Sequence, residues 1–149
     1  MIFLVVILGV FLDRVAKNWA LTTLKGGPDI EVIKNFFTFQ YLENRGAAFG
    51  IFQGKVILLT LVTIIVLLGV VYYLIKNKPK SKLLKISFAF IISGAIGNLY
   101  DRIVHNYVID FIMLHYKEQY YFPTFNVADI LVVFGTILLA IYILKEGEV

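Results

Sequence analysis

The 149-residue chain is 60% hydrophobic and 16% charged, carries a net charge of +4 and contains no cysteine. Soluble domains hold about 45–50% apolar and about 25% charged residues, so the apolar excess, gathered here in long blocks, places the chain in a membrane. Disulfides, thiol catalysis and cysteine-held metals are excluded, and the lysines sit between apolar blocks in the positive-inside pattern rather than forming a nucleic-acid footprint.

Residues 1–12 are an unbroken apolar run. At about 1.5 Å per residue such a run covers only part of a bilayer, so the first helix is expected to continue to about residue 24, with Asp13 and Lys17 inside it. It lacks a basic leading region and a small-residue cleavage site, and reads as a retained helix. Asp13 and Lys17 are spaced i, i+4 and share a face. Two readings are open for them: an ion pair that pins the helix to its neighbours, or a direct part in a site.

Lys25-Gly26-Gly27-Pro28-Asp29 is a turn signal. Residues 30–43 read as extended, with Phe37, Phe39 and Tyr41 alternating with Thr38 and Gln40, which predicts a small strand element at the membrane surface. Glu43-Asn44-Arg45-Gly46-Ala47-Ala48-Phe49-Gly50 follows, a small-residue stretch in which Asn44 supplies an amide and Gly46 permits close backbone approach.

The second helix is expected over about 55–76, with no charge between 56 and 75. Lys76, Lys78, Lys80, Lys82 and Lys85 then mark a cytoplasmic loop. Two helices precede this loop and two follow it, so both termini are expected on the cytoplasmic side. The third helix, about 83–104, is bare of ionisable groups over 86–96 and then carries Asn98, Asp101 and Arg102. The connection 105–125 is rich in Tyr and Phe, as suits a lipid–water boundary. The fourth helix, about 126–145, has nothing ionisable between Asp129 and Lys145. Gly69 and Gly135 are candidates for close helix contact.

The expected fold is therefore mainly α and polytopic. Four transmembrane helices form a single membrane-embedded domain over 1–149, with a small β-rich outer cradle between helices one and two and an outer loop between helices three and four. Asp13, Lys17, Asn98, Asp101, Arg102, Asp110 and Asp129 all fall in one layer near the outer face. A proton or ion pathway needs groups strung across the bilayer or a site at its midplane, so the bare cytoplasmic half favours a site fed from the outer leaflet. A transport or binding protein using the same cluster as a ligand site is the alternative.

Each polar residue also has a structural reading. Asn126 can cap the fourth helix with Asp129 in its first turn, and Asp101 with Arg102 can be an ion pair ending the third. His105 and His115 have no metal-ligand spacing, so no metal is expected. Ser81, Ser87 and Ser93 lie toward the cytoplasmic side and no Gly-x-Ser-x-Gly motif is present, which leaves carboxylate chemistry. Two close aspartates can share one proton. The ionised member then activates water and the neutral one polarises a carbonyl and protonates the leaving amine.

Five ordered segments carry a family resemblance across nearly the whole chain. They are Asp13-Arg14-Val15-Ala16-Lys17, Asn44-Arg45-Gly46-Ala47-Ala48-Phe49, Gly94-Ala95-Ile96-Gly97-Asn98-Leu99-Tyr100-Asp101-Arg102, Val108-Ile109-Asp110-Phe111 and Phe125-Asn126-Val127-Ala128-Asp129. Together they resemble the bacterial lipoprotein (type II, prolipoprotein) signal peptidases. The resemblance implies an intramembrane aspartic endopeptidase of the bacterial cytoplasmic (inner) membrane, working without a cofactor near the outer face. Its implied substrates are diacylglyceryl-modified prolipoproteins, cut just before the lipidated cysteine, and its implied surroundings are membrane lipids, with no nucleic acid. It implies Asp110 and Asp129 as the catalytic dyad. Asn44, Gly46, Asn98, Asp101, Arg102 and Asn126, with Asp13 and Lys17 from the first helix, are implied to support the dyad or bind substrate. It also implies an outer cradle over 30–43 and a mobile flap over 105–125. Arg14 and Arg45 are expected to carry no function, and the chain is expected to act as a monomer.

Overall fold

The computed structural model describes residues 2–47, 51–117 and 119–146. Helix α1 (Ile2–Thr23) leads into strands β1 (Ile30–Ile33) and β2 (Phe37–Asn44), then helices α2 (Val56–Asn77) and α3 (Lys82–His105). Strands β3 (Val108–Tyr116) and β4 (Tyr120–Tyr121) precede the last helix, α4 (Val127–Glu146). By length and composition, three helices can cross a membrane: Val56–Asn77, Lys82–His105 and Val127–Lys145. Helix α1 is as long as α2, at 22 residues, but holds Asp13, Arg14 and Lys17. Its buried residues, Gly9, Asp13, Lys17 and Ala20, recur at helical spacing on one face. Phe3, Leu4, Phe11 and Leu12 on its other side are exposed. The helix is thus polar inward and apolar outward, the reverse of a helix in water.

The four strands form one antiparallel sheet in the order β1-β2-β3-β4. The connection 105–125, expected as a loop or flap, is therefore largely strand. Its first residues, Val108, Ile109, Asp110 and Phe111, are all buried, so the inside–outside alternation that announces a strand is missing. Phe111 and Ile109 pack with Ala20 and Leu24 at the end of α1, and Trp19 meets Phe39 and Phe111 edge-on at 5.0 and 6.1 Å. Between Phe39 and Leu42 the β2 register shifts against β3, where two residues of β2 face Phe111 alone. Such a bulge twists the strand and re-aims its neighbours, here Asp110. The N–H groups of Phe111 and Ile112 both donate to the Phe125 carbonyl, at 3.0 and 2.9 Å. β3 is thereby tied to the residue just before Asn126.

Helices α3 and α4 close on glycines. A Cβ at Gly94 would strike the Ala128 carbonyl oxygen and come within 2.7 Å of Val132. At Gly135 it would meet the Ser87 carbonyl at 2.8 Å, and at Gly97 it would meet the Asp13 carboxylate at 2.5 Å. Gly135 thus serves the close contact expected of it. Gly69 does not, since nothing lies within 4 Å of its Cβ position. Overpacking a tight contact costs about 1–3 kcal/mol. Gly94→Leu is expected to lower the melting temperature in detergent clearly, while Gly69→Leu leaves it unchanged. Thermal unfolding of the two variants beside the parent checks this.

Candidate active site

Three of the elements deliver polar side chains to one end of the helix bundle. Asp110 comes from β3 opposite the bulge in β2, Asn126 and Asp129 from the start of α4, and Asn98, Asp101 and Arg102 from the last turns of α3. Asn126 is fully buried and joins the two carboxylates. Its amide nitrogen donates to Asp110 Oδ1 at 2.6 Å, and its Oδ1 accepts the Asp129 N–H at 3.0 Å. Asp129 Oδ2 accepts the Asn126 N–H in return, at 3.2 Å. This is a reciprocal capping box, so the helix-capping reading of Asn126 and Asp129 holds. It does not exhaust Asp129, whose Oδ1 accepts from the Asn98 amide at 2.7 Å. Asp110 Oδ2 accepts from the Asn44 amide at 2.8 Å, and Asn44 is itself oriented by the Gly46 N–H on its Oδ1 at 2.9 Å.

Neither Asp110 nor Asp129 forms a salt bridge among the described residues. Burial, and then the negative charge of Asp129, push the Asp110 carboxyl up to about 7. The amides of Asn44 and Asn126 pull the other way and do not offset this. Like charges facing one cavity resist ionising together.

A cavity of about 670 Å³ opens over the pair. Its polar wall is Asn44, Gly46, Asn98, Arg102, Asp110 and Asp129. Ile130, Val133, Phe134 and Ile137 continue it along one face of α4, at i, i+3, i+4 and i+7, into the apolar part of the bundle. That stripe was not singled out in the sequence because any spanning helix offers the same spacing. No hydrogen bond or ion pair engages the Arg102 guanidinium among the described residues, and the charges acting on it are those of Asp129, Asp110 and Asp101.

Asp13, Lys17 and Asp101 lie behind the cavity. Lys17 is buried and bridges Asp13 at 3.2 Å and Asp101 at 2.8 Å, and it donates to Asn98 Oδ1 at 2.8 Å. Arg14 pairs with Asp13 at 2.7 Å and Asp101 at 2.6 Å. Asp101 is thus not the partner of Arg102, since its two oxygens are taken by Arg14, Lys17 and the Ile109 N–H. Arg14, to which no function was assigned from sequence, is part of the cluster. The signal was its charge inside an apolar helix. Arg45 stays at the surface, 3.7 Å from Glu43. His115 meets Thr38 at 3.0 Å and His105 stacks on Tyr107, outside the cavity. Ala48 and Phe49 of the second motif lie outside the described residues.

A family model described as signal peptidase (SPase) II matches residues 5–145. The chain belongs to the signal peptidase II family. It is 62% identical over 145 residues to the lipoprotein signal peptidase of Clostridium novyi (strain NT), covering 97% of this chain and 98% of the relative. It is 37% identical to that of Staphylococcus aureus (strain JH9), covering 96% and 87%. A solved bacterial membrane enzyme superposes with a TM-score of 0.89 at 34% identity, over 99% of this chain and 89% of that one. A second does so with a TM-score of 0.84, also at 34% identity, over 97% and 92%. The chain is thus a membrane peptidase with polar residues gathered at one end of the bundle.

Removing one partner of a buried charge cluster leaves an uncompensated charge and costs about 3–5 kcal/mol. Asp101→Asn is expected to destabilise the protein on that scale. The charge-balanced double variant Asp101→Asn/Lys17→Met is expected to recover part of the loss. Unfolding of the single and double variants measures both.

Proposed function

We propose that Asp110 and Asp129 are the catalytic dyad of an endopeptidase that removes signal peptides from diacylglyceryl-modified prolipoproteins, cutting before the lipidated cysteine. The observation that carries this reading is the pair itself. Two carboxyls line one cavity, neither has a cation partner among the described residues, and one residue, Asn126, links them, donating to Asp110 from its side-chain amide and to Asp129 from its backbone N–H.

With one proton shared, the ionised carboxylate takes a proton from a water molecule as its oxygen attacks the scissile carbonyl carbon. The neutral carboxyl hydrogen-bonds the carbonyl oxygen and stabilises the tetrahedral intermediate. The C–N bond then breaks and a carboxyl proton passes to the leaving amine. Asn98 and Asn44 each hold one oxygen of their aspartate and Asn126 holds the other, which fixes how both carboxyls face the cavity. Arg102, with no hydrogen bond or ion pair among the described residues, is placed to bind a peptide carbonyl or a lipid ester oxygen. The stripe Ile130, Val133, Phe134 and Ile137 suits an apolar chain entering from the bilayer.

Helix α1 is proposed as the fourth span, since its charges face inward and its apolar side faces out. The lysines between α2 and α3 put that loop, and with it both termini, on the cytoplasmic side of the bacterial inner membrane. The dyad then lies near the outer face, and the chain works as a monomer among membrane lipids.

Asp110→Asn and Asp129→Asn are each expected to abolish cleavage of a lipidated precursor, read by mass, while the variants still insert and fold. The pH dependence has a definite sign. Because folding raises the Asp110 carboxyl from about 4 to about 7, the native state binds that proton more tightly than the unfolded chain. Its contribution to stability is therefore full at low pH and is lost as pH rises from about 4 to 7. Melting temperature is expected to fall across that window in the parent and to fall less in Asp110→Asn. Cleavage is expected to decline as pH passes about 7.

A further inference from the structure

Arg14 lies outside the cavity, yet its guanidinium is tied on three sides. Nη1 donates to Asp101 Oδ1 at 2.6 Å. Nη2 donates to Asp13 Oδ2 at 2.7 Å and to the Gly97 carbonyl at 3.1 Å. The Tyr100 ring covers it, with its centroid 4.6 Å from Cζ. Each of the two carboxylates it joins also holds a backbone N–H. Asp13 Oδ1 accepts from Ala128 at 3.0 Å, and Asp101 Oδ2 accepts from Ile109 at 3.1 Å. Ala128 immediately precedes Asp129, and Ile109 immediately precedes Asp110. The two reacting carboxyls are therefore each one residue away from a backbone group held by this cluster.

We propose that Arg14 is a positioning residue that sets the separation of Asp110 and Asp129 through two carboxylate arms, Asp13 to the Ala128 N–H and Asp101 to the Ile109 N–H. The proposal rests on Asp110 and Asp129 being the dyad. Lys17 also bridges Asp13 and Asp101, but an ammonium on a flexible stem supplies a point charge, and one of its bonds goes to Asn98. The guanidinium is planar, and its two terminal nitrogens reach the two carboxylates in fixed directions. It thereby fixes the distance between the arms, and through them that between β3 and the first turn of α4. All four side chains come from α1 and α3, so the spacing is set by a pair of helices that do not themselves carry the dyad.

The competing role for Arg14 is charge balance alone, and a lysine would fill that role. The test compares Arg14→Lys and Arg14→Gln with the parent, as full chains in lipid bicelles, on a diacylglyceryl-modified prolipoprotein. Rates are taken per folded molecule across pH. A displacement of about 1 Å at reacting groups can cost up to about a hundredfold in rate. Arg14→Lys is expected to stay folded and to lose tenfold or more in kcat, by roughly the same reasoning, with KM within about twofold. Its bell-shaped pH profile is expected to narrow, because two carboxyls moved apart interact less and their apparent pKa values converge. Tyr100→Leu leaves every ion pair in place and keeps the question open to test if the Arg14 variants do not fold. It is expected to lower kcat about two- to fivefold in the same pattern.

A parent-like kcat and pH profile in Arg14→Lys would overturn the proposal. So would a loss of activity in both variants with pH limits unchanged. Asp110→Asn and Asp129→Asn are assayed alongside. If either still cleaves, the dyad reading has failed. If both are inactive while Arg14→Lys is parent-like, only the role of Arg14 has failed.

Discussion

Everything at the active end of this bundle depends on a charge cluster that has been taken out of water. Asp13, Lys17 and Asp101 are buried, and Arg14 is largely so. Moving ions from water into protein costs several kcal/mol each after relaxation, and mutual attraction offsets this only with good geometry and full hydrogen bonding. Here two cations meet two anions, and each carboxylate also accepts a backbone N–H. The cluster contributes little net stability for that reason. What it supplies is a fixed relation among α1, α3, β3 and the start of α4. Gly97 makes room for it, since any side chain there would occupy the space of the Asp13 carboxylate.

The proposed dyad sits in a different environment. Asp13 and Asp101 have cations as partners. Asp110 and Asp129 have amides: Asn44 and Asn126 for one, Asn98 and the Asn126 backbone for the other. Amides orient a carboxylate without matching its charge. Two buried carboxyls facing one cavity, with amides as their partners among the described residues, resist joint ionisation. Four aspartates of one chemical type therefore divide into two paired with cations and two held by amides, and their neighbours decide which is which.

Much of this was legible in the sequence. The apolar blocks gave α2, α3 and α4, and polar residues at the ends of apolar runs marked the site. Asn126 and Asp129 were readable as a cap because spacing within one turn is a local property. The strand β3 was not readable, because both of its faces are covered where it carries Asp110 and no period-two pattern results. Nor was the partner of Asp101. Chain adjacency suggested Arg102, but the actual partner, Arg14, lies 87 positions away and is brought close only by packing of α1 on α3. The choice of Asp110 over Asp101 as the reactive group rested on family resemblance in the sequence. The structure adds a physical ground, since Asp101 pairs with two cations and Asp110 with none among the described residues.

The central claim is that two carboxyls at the active end hold a single proton at neutral pH. Infrared difference spectroscopy of the protein in lipid, following the carboxylic-acid C=O stretch against pH, reads this directly. The account predicts one protonated carboxyl at pH 7 that is absent from both Asp110→Asn and Asp129→Asn. Finding both carboxyls fully ionised at pH 7 in the parent protein, or the same band intact in either variant, would contradict it.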